Sequence, residues 1–460
     1  MSEPTAISLI PPFVVLALAI WLRRPILALI IGAIAGLLLL DPSSVLGNFA
    51  DASLKVMQDE TIGWLILVCG SFGALIALLV RTGGALAFGR KAILLAKGRK
   101  SSLFMTFVLG LVIFIDDYLN ALTVGETMKR VTDKFKVSRE MLAYVVDSTA
   151  APVCVLVPLS TWAVFFGGLL VDNGVAADGE AISVYMSAIP YMLYAWLAVI
   201  MVLLVVVGVV PAIGPMKKAE LAAAQGEPAK AQVDWEEVHT SDEYAVKAIE
   251  DEFEHADKHG KLHNFLVPLA LLVAFTVYFD IDVWKGLLAT LAVTLPYYAV
   301  QKLMPMSEMM DQMIDGFKSM LPAIGTVVAA FIFKDVCDQL LLPQYVIDTL
   351  SPYMTAKMLP AIVFLAMAVL AFATGSSWGI FAVTIPIVMP LANAVGADTA
   401  LVIGALLSAS SFGSQACFYS DSTVLAAQGS GCNLVSHAVT QLPYALIAAA
   451  FAFVGFILLA

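Results

Sequence analysis

Asp116 and Asp117 stand side by side at the end of an apolar run, residues 103–115. Two more carboxylates, Asp147 and Asp421, open the near-identical triplets Asp147-Ser148-Thr149 and Asp421-Ser422-Thr423 in opposite halves of the chain. A carboxylate at membrane depth costs roughly 2.5–3.5 kcal/mol on insertion scales, so each is a candidate for handling ions. A carboxylate, two hydroxyls and the carbonyls freed at a helix break are the hard oxygen ligands that a dehydrated small cation needs. The plainer alternative is that the hydroxyls satisfy broken backbone and each Asp caps a half-helix. Capping alone does not ask for two such triplets at matching positions. Adjacent carboxylates in a low dielectric repel, and such a pair can exchange a proton for a metal cation. One of Asp116 and Asp117 can be only a helix cap.

The surroundings of these acids are those of a membrane. Hydrophobic residues make up 60% of the 460, charged residues only 13%, and mean hydropathy is +0.91. Many apolar stretches reach the length of a transmembrane helix. The net charge of −11 is concentrated rather than spread, because residues 220–257 hold 12 Asp and Glu against Lys230 and Lys247. That segment reads as a solvated loop without EF-hand spacing. The five cysteines have no CxxC spacing and define neither a disulfide framework nor a zinc site. Residues 7–22 lack a preceding base and a cleavage signal, so they are expected to be a retained span.

Short-loop charge gives an orientation. Residues 81–100 carry six Lys and Arg and residues 129–139 carry five, so both loops are expected in the cytoplasm. Residues 41–60 carry only Lys55 and residues 171–183 carry no base, so both are expected outside. The stretch 103–128 lies between two cytoplasmic loops and therefore goes in and comes back. Its arms, at about 1.5 Å per residue, fall short of a hydrocarbon core about 30 Å thick. A re-entrant hairpin follows, with residues 116–120 at its tip. Residues 140–170 are too long for one straight span and are expected to break at 147–152, where Pro152 removes a donor. The second half repeats the order, with arms 359–373 and 380–395 joined at Gly375-Ser376-Ser377-Trp378-Gly379, and with polar residues inside 400–425. Small residues, two hydroxyls and a following half-helix let that turn close over an ion or hold a carboxylate; a simple turn around a buried Trp is the alternative.

The expected fold is an all-α polytopic membrane protein of two inverted repeats, each of five spans plus one re-entrant hairpin, with broken helices. Its parts are a first repeat (1–210), a cytoplasmic acidic loop (211–262) and a second repeat (263–460), with both termini outside. The aspartates of the two triplets lie 274 residues apart, and the hairpin tips are separated by a similar distance. Inverted repeats with interrupted helices mark secondary transporters. Lys334 and Asp335, adjacent in an apolar span, suggest internal charge compensation; the alternatives are that they belong to the site or simply pair elsewhere.

The stretches FIDDYLNALTVG (114–125), SREMLAYVVDSTAAPVCVLVPLSTW (138–162), ATGSSWGIF (373–381) and SDSTVLA (420–426) resemble the NhaC family of sodium/proton antiporters. The resemblance spans most of the membrane region. It implies that Asp116, Asp117, Asn120, Thr123, Asp147, Ser148, Thr149, the turn Gly375, Ser376, Ser377 and Trp378, and Ser420, Asp421, Ser422 and Thr423 belong to the transport site. Sodium would then be held at Asp147, Thr149, Asp421 and Thr423. The chain departs from the family pattern at Gly413-Ser414, at Cys417-Phe418 and at Ser422, where a Thr is usual.

The reading is therefore a Na+/H+ antiporter of the cell inner membrane that works by alternating access. A Na+- or H+-coupled carrier of amino acids or organic acids is the alternative. Transported Na+ and H+ take the place of any cofactor. The partners are membrane lipid and a small cation or small organic solute, with no nucleic acid, and a homodimer is left open. ATP drive lacks a GxxxxGK[ST] loop, and a membrane aspartyl protease lacks its Gly-x-Gly-Asp motif.

Overall fold

The computed structural model describes residues 5–22, 25–177, 179–226, 260–280, 282–374, 377–418 and 420–460. Among these residues the chain is helical throughout and forms no strand. The first half runs α1 (Ile10–Leu22), α2 (Pro25–Leu40), α3 (Val45–Met57), α4 (Glu60–Arg81), α5 (Gly84–Leu95), α6 (Arg99–Val112), α7 (Asp117–Lys134), α8 (Arg139–Thr149), α9 (Ala151–Leu156), α10 (Thr161–Asp172), α11 (Ala181–Ala188), α12 (Leu193–Val207) and α13 (Gly214–Gln225). The second half runs α14 (His263–Tyr278), α15 (Val283–Val300), α16 (Met306–Ser319), α17 (Leu321–Gln339), α18 (Leu342–Leu350), α19 (Leu359–Thr374), α20 (Ser377–Val395), α21 (Thr399–Ala416), α22 (Asp421–Ser430) and α23 (Leu434–Leu459).

The chain is a multi-pass membrane protein. Ile62–Arg81, Val283–Val300, Thr399–Ala416 and Leu434–Leu459 are each long and apolar enough to cross a bilayer. Among the described residues two bent pairs qualify as broken spans or re-entrant loops: Arg139–Leu156 with Thr161–Asp172 at 41°, and Ala181–Tyr191 with Leu193–Val207 at 55°. Other apolar helices, such as Ile26–Leu40 and His263–Tyr278, are shorter. α21 shows why polar residues survive in such a fold. It is buried continuously from Leu401 to Ala416, so Ser408, Ser411 and Gln415 face protein rather than lipid. α23 is two-faced, burying His437, Gln441 and Tyr444 while exposing Leu446, Phe451 and Leu458 on its outer side.

A helix–turn–helix unit occupies the region expected to form the first hairpin, with its turn slightly earlier than expected. α6 ends at Val112 and α7 begins at Asp117, so the turn is 113–116 and Asp117 to Asn120 are already helical. The reason is Asp116, whose carboxylate accepts from Leu119 N at 3.0 Å and caps α7.

The long stretch after it breaks twice, not once. The first break falls at Ala150, whose backbone leaves the helical region (φ −84, ψ −96). Pro152 causes no kink of its own, because it sits at the start of α9 where no amide donor is needed. A 41° bend comes at 157–160, where no interruption is expected from the sequence. Pro158 forces its predecessor Val157 into extended conformation, and Ser160 restarts the helix by capping α10. Pro190 lies in a 3-10 turn, Ile189–Tyr191, at the unexpected bend before α12.

Lys334 and Asp335 do not compensate one another. Lys334 pairs with Asp172 at 3.5 Å and Asp338 at 3.2 Å, while Asp335 pairs with Lys55 at 2.5 Å. Consecutive helix residues point in different directions, so neighbours in sequence reach different partners.

Candidate functional site

The interrupted helices converge on one buried carboxylate. Asp147 lies in the last turn of α8 and is fully buried, as are Ser148 and Thr149. Its Oδ2 accepts from Gln441 Nε2 at 2.8 Å and lies 3.3 Å from both Thr423 Oγ1 and His437 Nε2. Its Oδ1 has no hydrogen-bond partner among the described residues. One oxygen is thus bonded or approached by three side chains of the second half, and the other is unpartnered among the described residues.

The break between α21 and α22 supplies the facing wall. Cys417 is extended, and Ser420 caps α22 by accepting from Thr423 N. The hydroxyls of Ser420, Ser422 and Thr423 gather on one carbonyl, Ser414 O, at the broken end of α21, the latter two at 2.9 Å each. Gln415 knits the two breaks together, since its Nε2 donates to Ser148 Oγ at 2.5 Å and its Oε1 accepts from Tyr194 OH at 2.5 Å. Gln441 Nε2 also reaches Gln415 O at 2.5 Å. Hydroxyl, amide and carboxylate groups are held by one another before any ligand arrives.

Asn120 is the clamp of the first hairpin. Its Nδ2 lies 2.7 Å from Gly110 O, 2.7 Å from Ile113 O and 2.8 Å from Thr149 O. Those are carbonyls at the end of α6 and at the α8 break, and the two N–H groups of one amide, shared among them, compensate buried irregular backbone. α6 approaches so closely that a Cβ on Gly110 would stand 2.1 Å from Thr149 Oγ1. On the other side of α7, a Cβ on Gly125 would stand 2.6 Å from the backbone of Gly429. Glycine at both positions lets α7 and its hairpin partner lie against α8 and α22 at backbone distance.

Asp116 occupies the second break. Besides capping α7 it accepts from Thr161 Oγ1 at 3.0 Å, and Ile115 O accepts from Thr161 N at 2.9 Å. Asp117 is buried beside it. The acid pair and the Asp147 cluster are therefore distinct, the first seated on the 157–160 break and the second between the Ala150 and 417–420 breaks. Asn120 spans the interval through Thr149 O.

Of the residues singled out from sequence, Asp147, Ser148, Thr423 and, through Ser414, Ser420 and Ser422 come together. Thr149 turns its hydroxyl back to Val145 O and Val146 O, at 2.9 and 3.1 Å, and its carbonyl to Asn120. Thr123 is buried on α7 with no hydrogen-bond partner for Oγ1 among the described residues. Gly375 and Ser376 lie outside the described residues, as do the side chains of Ser377, Trp378 and Asp421 and the acidic segment 227–259.

Three contributors were missed. Gln415 had been noticed only as a polar interruption. His437 and Gln441 lie in α23, which begins at Leu434. The available signal was their i, i+4 spacing, which puts both on one helical face.

A helical membrane fold in which interrupted spans from both halves close on a buried carboxylate defines a secondary transporter, not an enzyme. The chain belongs to the Na+/H+ antiporter family, whose model matches residues 153–460. An uncharacterized protein of Haemophilus influenzae is 28% identical over 98% of this chain and 90% of its own length. A Bacillus subtilis malate-2H(+)/Na(+)-lactate antiporter is 26% identical over 41% of this chain and 42% of its own. Two solved transporters share the fold at low identity. MtrF of Neisseria gonorrhoeae, described with a class of antimetabolite efflux pumps, has a TM-score of 0.58 at 12% identity, over 91% of this chain and 84% of that one. YdaH of Alcanivorax borkumensis has a TM-score of 0.52 at 13% identity, over 90% and 87%.

Proposed function

We propose that the protein is a Na+/H+ antiporter of the cell inner membrane that works by alternating access between two inverted repeats, residues 1–210 and 263–460. Both termini lie outside and the acidic loop lies in the cytoplasm in this reading. The observation that carries it is Asp147. A buried carboxylate with one oxygen held by Gln441, Thr423 and His437 and the other unpartnered is a preorganised seat for a small cation. Na+ and H+ compete for that carboxylate: a cation binds Oδ1 with oxygen ligands contributed around it, or a proton neutralises the charge, and either state lets the carrier turn over. Asp116 and Asp117 add a second place at which a proton and a cation exchange. Among the described residues Asp147 forms no ion pair with Lys or Arg, which favours a cation over an organic anion as cargo.

The organic-acid alternative is favoured by the likeness to the malate and lactate antiporter. The two are separated in proteoliposomes carrying a pH dye. An imposed Na+ gradient alone should move protons, with an apparent Na+ affinity that weakens as pH falls. If no pH signal develops until malate, lactate or an amino acid is added, the alternative replaces the first reading.

A further inference from the structure

We propose that Glu140 is an access site for the transported cation, lining a vestibule that opens on the side of the basic loops and leads toward Asp147. The proposal rests on the cation-transport reading above. A cavity of about 950 Å3 is bounded by the start of α8, by α13 and by the first turns of α23. Glu140, Ser436 and Thr440 are among the residues that line it. Glu140 is 7% exposed and is the only carboxylate lining this cavity that is buried; Asp133, the other, is exposed and forms a bidentate pair with Arg139, at 2.6 and 2.7 Å. Ser436 Oγ donates to Glu140 Oε1 at 2.8 Å, and Oε2 has no hydrogen bond among the described residues.

A buried carboxylate with an uncommitted oxygen, lining a cavity of this size, attracts a cation more strongly than a surface acid, because the low dielectric leaves its field unscreened. Lys136 and Lys218 also line the cavity, but both are exposed. Their charges are solvated and screened within a Debye length of about 8 Å at physiological salt. The route inward is short. Glu140 and Asp147 lie seven residues apart, two turns along one face of α8 and about 10 Å at 1.5 Å per residue. The opposing helix is continuous too, since Ser436 bonds Glu140 and the next residue, His437, lies against Asp147. Between them on α8 sits Tyr144, stacked on Tyr444 with ring centroids 4.7 Å apart.

The test uses the full-length protein in proteoliposomes with Val439→Cys, an exposed position that lines the cavity. Reaction with a cationic thiol reagent should outpace an anionic one of similar size, Na+ should slow it, and Glu140→Gln should abolish both effects. Glu140→Asp should keep them, as should Ser436→Ala, which leaves the carboxylate in place. In transport, Glu140→Gln should raise the Na+ concentration for half-maximal rate about tenfold from the vestibule side only, without lowering the maximal rate. Equal labelling by both reagents in the parent, or an equal change in Na+ dependence from both sides of the membrane, would overturn the proposal. Sodium-driven proton movement with no sided effect of Glu140→Gln removes the access site and leaves antiport standing. Glu140-dependent protection by Na+ in a protein that moves no sodium does the reverse.

Discussion

Asp147 and Gln441 are 294 residues apart in sequence and 2.8 Å apart in space, Gln441 Nε2 donating to Asp147 Oδ2. The same amide nitrogen reaches Gln415 O, at the broken end of α21. One side chain of the last helix thereby registers the interrupted helix of the first half against that of the second. Changes at this junction should act on transport before they act on folding.

Asp147→Asn keeps the size of the side chain and an acceptor oxygen but removes the charge. Cation-dependent transport should fall about tenfold or more, since bonds to a charged group are the strong ones. Thermal unfolding in detergent should change little. Wild-type flux in vesicles of verified protein content would rule Asp147 out as the cation seat.

Asn120→Ala removes an amide whose two N–H groups serve Gly110 O, Ile113 O and Thr149 O, and leaves buried acceptors without that donor. The expected loss of stability is about 2–4 kcal/mol, from unsatisfied buried acceptors. A fall in melting temperature accompanied by loss of transport distinguishes this residue from Asp147. An unchanged melting temperature would mean that the hairpin is held by packing alone.

Gly125→Leu forces a side chain into the backbone of Gly429 and Ser430. Overpacking at a site with nowhere to relax costs at the upper end of about 1–3 kcal/mol, and expression of folded protein should drop. Gly125→Ala should be milder, and size-exclusion profiles of the pair measure the tightness of the contact between α7 and α22.

Cysteines placed singly in 41–60 and in 129–139 should label from opposite sides of the membrane, the second group from the cytoplasm, because the Lys and Arg bias between these short loops sets orientation. Labelling of the 129–139 loop from outside would reverse the topology and place the Glu140 vestibule on the outer face.

Local chemistry made much of this protein legible from sequence. Apolar length announces membrane helices, and a turn between apolar arms is expected within 103–128, where α6 and α7 meet. Asp-Ser-Thr triplets inside apolar stretches announce interruptions. Boundaries were less legible, because a cap such as Asp116 or a proline such as Pro158 acts over one or two residues and competes with strong apolar periodicity around it. What only the tertiary structure decided is partnership. Nothing in the sequence pairs Asp147 with His437 and Gln441, or Ser148 with Gln415, because a hydrogen bond depends on distances of about 3 Å set by the packing of whole helices. Lys334 and Asp335 show the same limit. Adjacent in the chain, they point away from one another, and where each charge is answered depends on which helix stands opposite.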